Sequence, residues 1–293
     1  MKFSKLANSL TASATMAATL KAQDLKSKGV TLVVGTVGEP HEPVDAEIKN
    51  ALTNYLNTKP SRYVSAQGLL DTRLALSDWF HQVYQTKYTP EQIVITPGSK
   101  FGLYALLQLL CDADDEVIIP TPYWVSYITQ AQLAKAKPVI CNTDETYKLN
   151  ATLLRGAITK HSRLLILNSP NNPSGAVYTK NELHSLYLVL KEHPQITVLC
   201  DDIYNQLIFT PDERAPSLLD VADEDFKKNQ LIIVHGVSKS YAMTGWRLGW
   251  IAADKECIEK LTSFISQTLT CVPDFIQYAT QTALKNSFHS VQI

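Results

Sequence analysis

The sequence predicts an α/β protein: a three-layer α/β/α arrangement around a mostly parallel, seven-stranded sheet. Three observations carry this. Seven short β-branched or apolar runs recur along the 293 residues, longer amphipathic segments separate them, and polar, proline- or glycine-rich punctuation follows the runs. Strands alternating with helices give a parallel sheet covered on both faces.

The chain opens with Met1 to Gln23, rich in Ser, Thr and Ala, with Lys2, Lys5 and Lys21 and no acid. That composition resembles a transit peptide. Leu6, Leu10, Met16 and Leu20 nevertheless lie near helical spacing, so an amphipathic arm that packs on something is expected. Leu69 to Tyr84 carries Leu70, Leu74, Leu76, Phe80, Val83 and Tyr84 at helical intervals. Ile93–Thr96 reads as the first strand, and Gly102 to Leu110 as a nearly all-apolar buried helix. Val117–Ile119, Pro138–Cys141, Leu164–Leu167, Thr197–Cys200, Leu231–Val234 and Gly249–Ala252 complete the strands. There is no internal repeat.

Hydrophobic residues at 45%, charged residues at 19% and a net charge of −1 describe an ordinary globular protein. They exclude a polyanion partner, so no nucleic acid is expected, and no apolar run is long enough to span a membrane. Cys111, Cys141, Cys200, Cys257 and Cys271 are odd in number and scattered, and the 7 histidines lack metal-ligand spacing. A reducing cytoplasm and no metal follow. His235 reads as a packed strand-end residue rather than a base.

In open α/β sheets, ligands gather at the carboxyl ends of the strands. There the sequence places Gly98-Ser99-Lys100, Pro122-Tyr123-Trp124, Asn168 to Gly175, Asp201-Asp202-Ile203-Tyr204 and Ser238-Lys239. Gly98-Ser99-Lys100 leads into a helix, whose unpaired N–H groups and positive dipole end form either a simple cap or a phosphate cradle. Arg247 can add a bidentate pair to that phosphate. Asp201 reads as a helix cap or as the partner of a protonated pyridine nitrogen. Tyr204 and Asn172 suit a phenolate oxygen, while Trp124 suits either ring stacking or the core. Taken alone, a serine-flanked lysine such as Lys239 is usually solvated. At the mouth of a buried strand, desolvation would favour its neutral, nucleophilic amine and invite a Schiff base.

Ser238-Lys239 through Gly249, with Asp201-x-x-Tyr204, Asn172-Pro173-x-Gly175 and Pro122-Tyr123-Trp124, resembles the class I/II aminotransferases. These are pyridoxal-phosphate enzymes of fold type I, and the resemblance is to the bacterial aspartate and aromatic branch. It runs from Ser13-Ala14-Thr15 through Gly38-Glu39-Pro40 to about Gln277. It implies Lys239 as the Schiff-base lysine and general base, Asp201 on the pyridine nitrogen, and Tyr204 and Asn172 on the phenolic oxygen. Trp124 would stack on the ring, and Gly98, Ser99, Lys100, Ser238 and Arg247 would surround the phosphate. Tyr63 would reach the phosphate of a neighbouring subunit in a homodimer with shared sites. Gly38, Trp124 and Asn172 would lie near the substrate. The implied reaction moves an amino group between an amino acid, aspartate or an aromatic one, and a 2-oxo acid, by ping-pong kinetics.

Two departures stand out. Gly236 occupies a position, three residues before the lysine, where many members carry serine. The chain also stops at Ile293, where relatives continue into a small C-terminal domain holding the arginine that grips the substrate α-carboxylate. The expected division is residues 1–45 as arm and small-domain segment, 46–280 as the large cofactor-binding domain, and 281–293 as the truncated start of an interdomain helix. An inactive cofactor-binding or dimerising fragment, or a β-lyase or decarboxylase on the same fold, are the alternatives.

Overall fold

The computed structural model describes residues 1–10, 14–35, 38–210, 212 and 214–286. In chain order the elements are α1 (Lys5–Ser9), α2 (Ala14–Ser27), α3 (Ala46–Thr58), α4 (Leu70–Tyr84), β1 (Ile93–Thr96), α5 (Ser99–Leu110) and β2 (Glu116–Pro120). Then come α6 (Ser126–Leu133), β3 (Lys137–Cys141), α7 (Ala151–Ala157), β4 (Ser162–Asn168), α8 (Lys180–Lys191) and β5 (Thr197–Asp201). The last are α9 (Glu224–Gln230), β6 (Leu231–Gly236), β7 (Gly249–Ala252), α10 (Lys255–Thr268) and α11 (Asp274–Asn286). All seven strands fall where the sequence places them.

The strands form one sheet in the order β1-β7-β6-β5-β4-β2-β3. Only β7 runs antiparallel to its neighbours, β1 and β6. The other neighbouring pairs are parallel. Successive strand residues point to opposite faces, and the core divides accordingly. Ile118, Leu165, Val198, Cys200, Ile233 and Trp250 join the cluster that includes residues of α4, α7, α8 and α11. Val117, Ile119, Ile166, Leu199, Val234 and Ile251 join the cluster that includes α5, α6 and α10. The inner strands are therefore apolar and buried on both faces, as a doubly covered parallel sheet requires, whereas the edge strand β3 leaves Lys137 and Ile140 exposed.

Two helical expectations need correction. Leu70 and Leu74 share the pattern of α4 with Leu76, Phe80, Val83 and Tyr84, yet they are exposed while the other four are buried. The helix buries one stripe, and the two leucines lie on its other side. In the N-terminal arm, Leu6, Leu10, Met16 and Leu20 are also exposed. The arm contributes the helices α1 and α2, but these apolar positions are not buried.

At the other end α11 lies against α3 and α4. Asp274 Oδ2 accepts from Tyr55 Oη at 2.9 Å and from the Arg62 backbone N at 3.0 Å. Gln277 Oε1 accepts from Leu69 N at 2.7 Å. These bonds fasten both ends of the loop between α3 and α4, which carries Tyr63 with 88% of its surface exposed.

Candidate active site

A cavity of about 170 Å³ opens at the carboxyl ends of the parallel strands. Ser99, Lys100, Trp124, Asn172, Asp201, Tyr204, Ser238, Lys239 and Arg247 all line it, nine residues singled out from sequence. Gly38 lines the adjoining open groove of about 1490 Å³, which Lys239, Trp124 and Tyr204 share. Tyr63 lines neither. Ser13 lies outside the described residues.

The helix end is built by glycine. Gly98 precedes α5 at φ +82°, and a Cβ there would stand 2.6 Å from Arg247 Nη2. Only a residue without a side chain lets the guanidinium close on the start of the helix. The Gly236 departure has a similar cause. A Cβ at Gly236 would meet Leu248 O at 2.8 Å, and one at Gly249, its partner across β6 and β7, would meet Ser99 N at 2.6 Å. The strand ends approach α5 too closely for any side chain. Its unpaired N–H groups and dipole, with Arg247 alongside, suit an anion.

Asp201 ends β5 and is buried. Its Oδ2 accepts from Tyr127 Oη at 2.6 Å, whereas Oδ1 has no partner among the described residues. Burial pushes this carboxyl up to about 6, against the hydrogen bonds from Tyr127 and the Ile203 N–H that favour its ionised form. A buried carboxylate oxygen left unpaired is costly unless a donor or cation meets it. Sequence reasoning missed Tyr127. It is a buried aromatic on α6, indistinguishable by pattern from core, and its one signal is its place three residues after Trp124, whose ring it meets edge-on at 5.4 Å.

Opposite lies Lys239. Its Nζ donates to Gly38 O at 2.6 Å and lies 5.6 Å from the centre of the Tyr204 ring. Burial lowers its pKa, Glu39 opposes that, and Arg247 adds to it. Asn172 Nδ2 donates to Tyr204 Oη at 3.1 Å, and Asn172 N donates to Asn168 Oδ1 at 2.8 Å. Asn168 in turn donates to Asp201 O at 2.7 Å. Asn168, which the sequence reading placed at the strand end without a role of its own, ties the ends of β4 and β5 together. Lys100 Nζ stands 4.9 Å from the Trp124 ring centre. His235 is buried, and its depressed pKa of about 3, caused by burial, keeps it neutral. In the groove the one lining arginine, Arg214, is engaged by Asp220 at 2.6 and 2.9 Å and by the carbonyls of Val83 and Ala215.

The sequence profile of the aminotransferases of class I and II matches residues 30–292. The chain belongs to this family. It is 36% identical to an aspartate aminotransferase of Bacillus subtilis, over 95% of this chain and 70% of the relative. It is 34% identical to an asparagine–oxo-acid transaminase of Streptococcus mutans, over 100% of this chain and 74% of the relative. Among solved structures, the aspartate aminotransferase of Rhizobium meliloti superposes with a TM-score of 0.94 at 29% identity, covering 99% of this chain and 72% of the other. That of Thermus thermophilus, solved with maleate, gives 0.92 at 32% identity and covers 100% and 76%. As an aminotransferase of this family, the chain has the fold and the reaction class that the resemblance implied. The family depends on pyridoxal phosphate.

Proposed function

We propose that this aminotransferase holds pyridoxal 5′-phosphate in the 170 Å³ cavity and moves the amino group of aspartate to a 2-oxo acid. The observation that carries the reading is the pairing, on one small cavity, of a lysine whose pKa burial lowers with a buried carboxylate whose Oδ1 has no partner among the described residues.

When bound, the cofactor supplies a carbonyl that condenses with amines and a ring that takes up electron density. Around it the chain's own groups divide the work. Lys239 is the amine that holds the cofactor and, once released, holds and moves the substrate α-proton. Asp201 keeps a positive charge on the ring nitrogen, with its carboxylate oriented by Tyr127. Asn172 and Tyr204 hold the phenolic oxygen, and Trp124 covers the ring. Gly98, Ser99, Ser238 and Arg247 cradle the phosphate, aided by Lys100, whose ammonium is also the candidate for a second substrate carboxylate. That last role, with the names of the relatives, supports aspartate over an aromatic donor.

Tyr63 and the arm, both exposed, support a homodimer in which Tyr63 completes the partner's site. Residues 46–280 then form the large domain and 1–45 the arm and small-domain segment; of the expected interdomain-helix segment 281–293, residues 287–293 lie outside the described residues. Five free cysteines support a reducing compartment, the cytoplasm. No described helix is long and apolar enough to cross a membrane.

Borohydride reduction of the purified chain with pyridoxal phosphate, followed by peptide mapping, tests the reading. The label is expected on Lys239, together with amino transfer from aspartate. A label elsewhere, or retained in Lys239→Ala, refutes the assignment.

A further inference from the structure

On the opposite face of the sheet lies a second set of polar groups that the proposed chemistry does not use. Alternation along β5 turns Leu199 and Asp201 towards α5 and α6, and turns Cys200 and the following Asp202 towards α4. There a relay of buried hydrogen bonds runs in one direction. Gly236 N donates to His235 Nδ1 at 2.8 Å. With Nδ1 accepting, the neutral ring carries its hydrogen on Nε2, which donates to Asn205 Oδ1 at 2.9 Å. Asn205 Nδ2 donates to Tyr84 Oη at 2.5 Å, and Tyr84 donates to Asp202 Oδ2 at 3.1 Å. Ser217 Oγ donates to the same oxygen at 2.7 Å. The His235 ring is stacked on Trp250 at 5.0 Å and meets Trp79 edge-on at 4.9 Å, so it cannot turn aside.

What the relay joins gives it meaning. Asp202 follows Asp201, Asn205 follows Tyr204, and Gly236 opens the turn that ends in Ser238 and Lys239. His235 O also accepts from Ser99 Oγ at 3.3 Å, which reaches the start of α5. Asp202, Asn205 and His235 are thus each a neighbour in sequence, or a direct hydrogen-bond partner, of a residue lining the cavity, and Tyr84 bridges Asn205 and Asp202. None of Tyr84, Asp202, Asn205 and His235 lines it. In a low-dielectric interior such a chain is stiff when complete, and losing one member leaves groups on either side unsatisfied. Tyr84 is the middle link: without its hydroxyl, Asn205 loses an acceptor and Asp202 loses a donor.

We propose that this relay is a positioning device for amino-group transfer, holding the turn that carries Lys239 in register with the strand end that carries Asp201 and Tyr204. Tyr84 and His235 are its positioning residues and touch neither cofactor nor substrate. Its effect on turnover rests on the roles proposed above for Lys239 and Asp201, whereas its effect on the turn does not.

The test uses the full chain as Tyr84→Phe, His235→Leu and His235→Gln. In the cofactor-free protein, amide exchange across residues 236–239 is expected to accelerate about tenfold or more in Tyr84→Phe and His235→Leu, while peptides from β2 and β4 are unchanged. With pyridoxal phosphate and aspartate, kcat is expected to fall about tenfold or more in both while KM stays within about twofold. Glutamine at 235, which can still donate to Asn205, should recover most of that loss. Exchange at 236–239 that does not change, or that rises equally in every strand, overturns the proposal, as does a kcat within about twofold of wild type in the variants that fold. Failure of the Lys239 assignment has a different signature: wild-type protein without a borohydride-trapped label at that lysine, in which case the exchange measurement alone decides the relay.

Discussion

At Asp201 and Asp202 two adjacent carboxyls are buried on opposite faces of one strand end, and each shapes how the protein responds to pH. Desolvation pushes Asp201 up to about 6 and Asp202 up to about 7; the negative charge of Asp201 adds to the second shift, and Ser217, Tyr84 and Arg214 oppose it. Both groups keep a proton in the folded state at pH values where the unfolded chain has released it, so folding is favoured below about pH 4 and weakened as pH rises through 6 and 7. His235, held neutral down to about 3, acts in the opposite sense, adding stability as pH rises from there to the ordinary histidine range. Two protons outweigh one. Urea unfolding of the cofactor-free protein is therefore expected to show stability falling from pH 5 to 7, with the fall reduced in Asp202→Asn. A second prediction concerns turnover: Asp201→Asn should still bind cofactor but transfer amino groups roughly 10²–10³-fold more slowly, since it loses the charge that steadies the ring nitrogen. Stopped-flow rates of the half-reaction with aspartate measure this, and near-normal rates would show that the ring nitrogen is managed otherwise. Asp201, Asn172, Tyr204 and Lys239 were legible in the sequence because each follows a run that could only be a strand. Tyr127 was not, since a buried tyrosine in the first turn of a helix looks like core until its hydroxyl is seen at 2.6 Å from a carboxylate.

Among the elements, the strands were the most legible. Except at the edge strand β3, their apolar runs are buried on both faces, and the punctuation after each leaves little freedom in where it ends. Helix faces were less so: α4 carries leucines on both its buried and its exposed sides, and composition cannot say which stripe meets the sheet. The close approach of β6 and β7 to α5 was hidden for a different reason, because it depends on three segments distant in sequence. It also makes a prediction. Gly249→Ala should cost about 1–3 kcal/mol through overpacking, because the added methyl would stand 2.6 Å from Ser99 N and 2.8 Å from Gly98 C, both backbone atoms. Thermal denaturation measures the loss, and cofactor affinity should fall with it because the same contact shapes the phosphate cradle. Unchanged stability would mean that the helix start can shift to make room.

For the whole molecule, the arm and the loop bearing Tyr63 present apolar and aromatic side chains to the outside, against the usual tendency of such residues to be covered. If the proposed dimer forms, removing residues 1–27 is expected to shift it to monomer in analytical ultracentrifugation, and Tyr63→Phe to weaken cofactor binding without changing the mass. A truncated chain that stays dimeric would sever the arm from assembly. The sequence could show that the arm is amphipathic, but a single chain does not contain the surface that would cover it.

The bonds from Asp274 and Gln277 to the loop between α3 and α4 tie distant parts of the chain together: the last described helix fastens the backbone of a loop more than two hundred residues earlier. A protein trimmed just ahead of Asp274 would keep every residue lining its own cavity, yet let go of the loop that, in the proposed dimer, extends towards a neighbour. Its defect would then surface in another molecule's site, and mixing it with a full-length copy crippled at Lys239 would expose the debt.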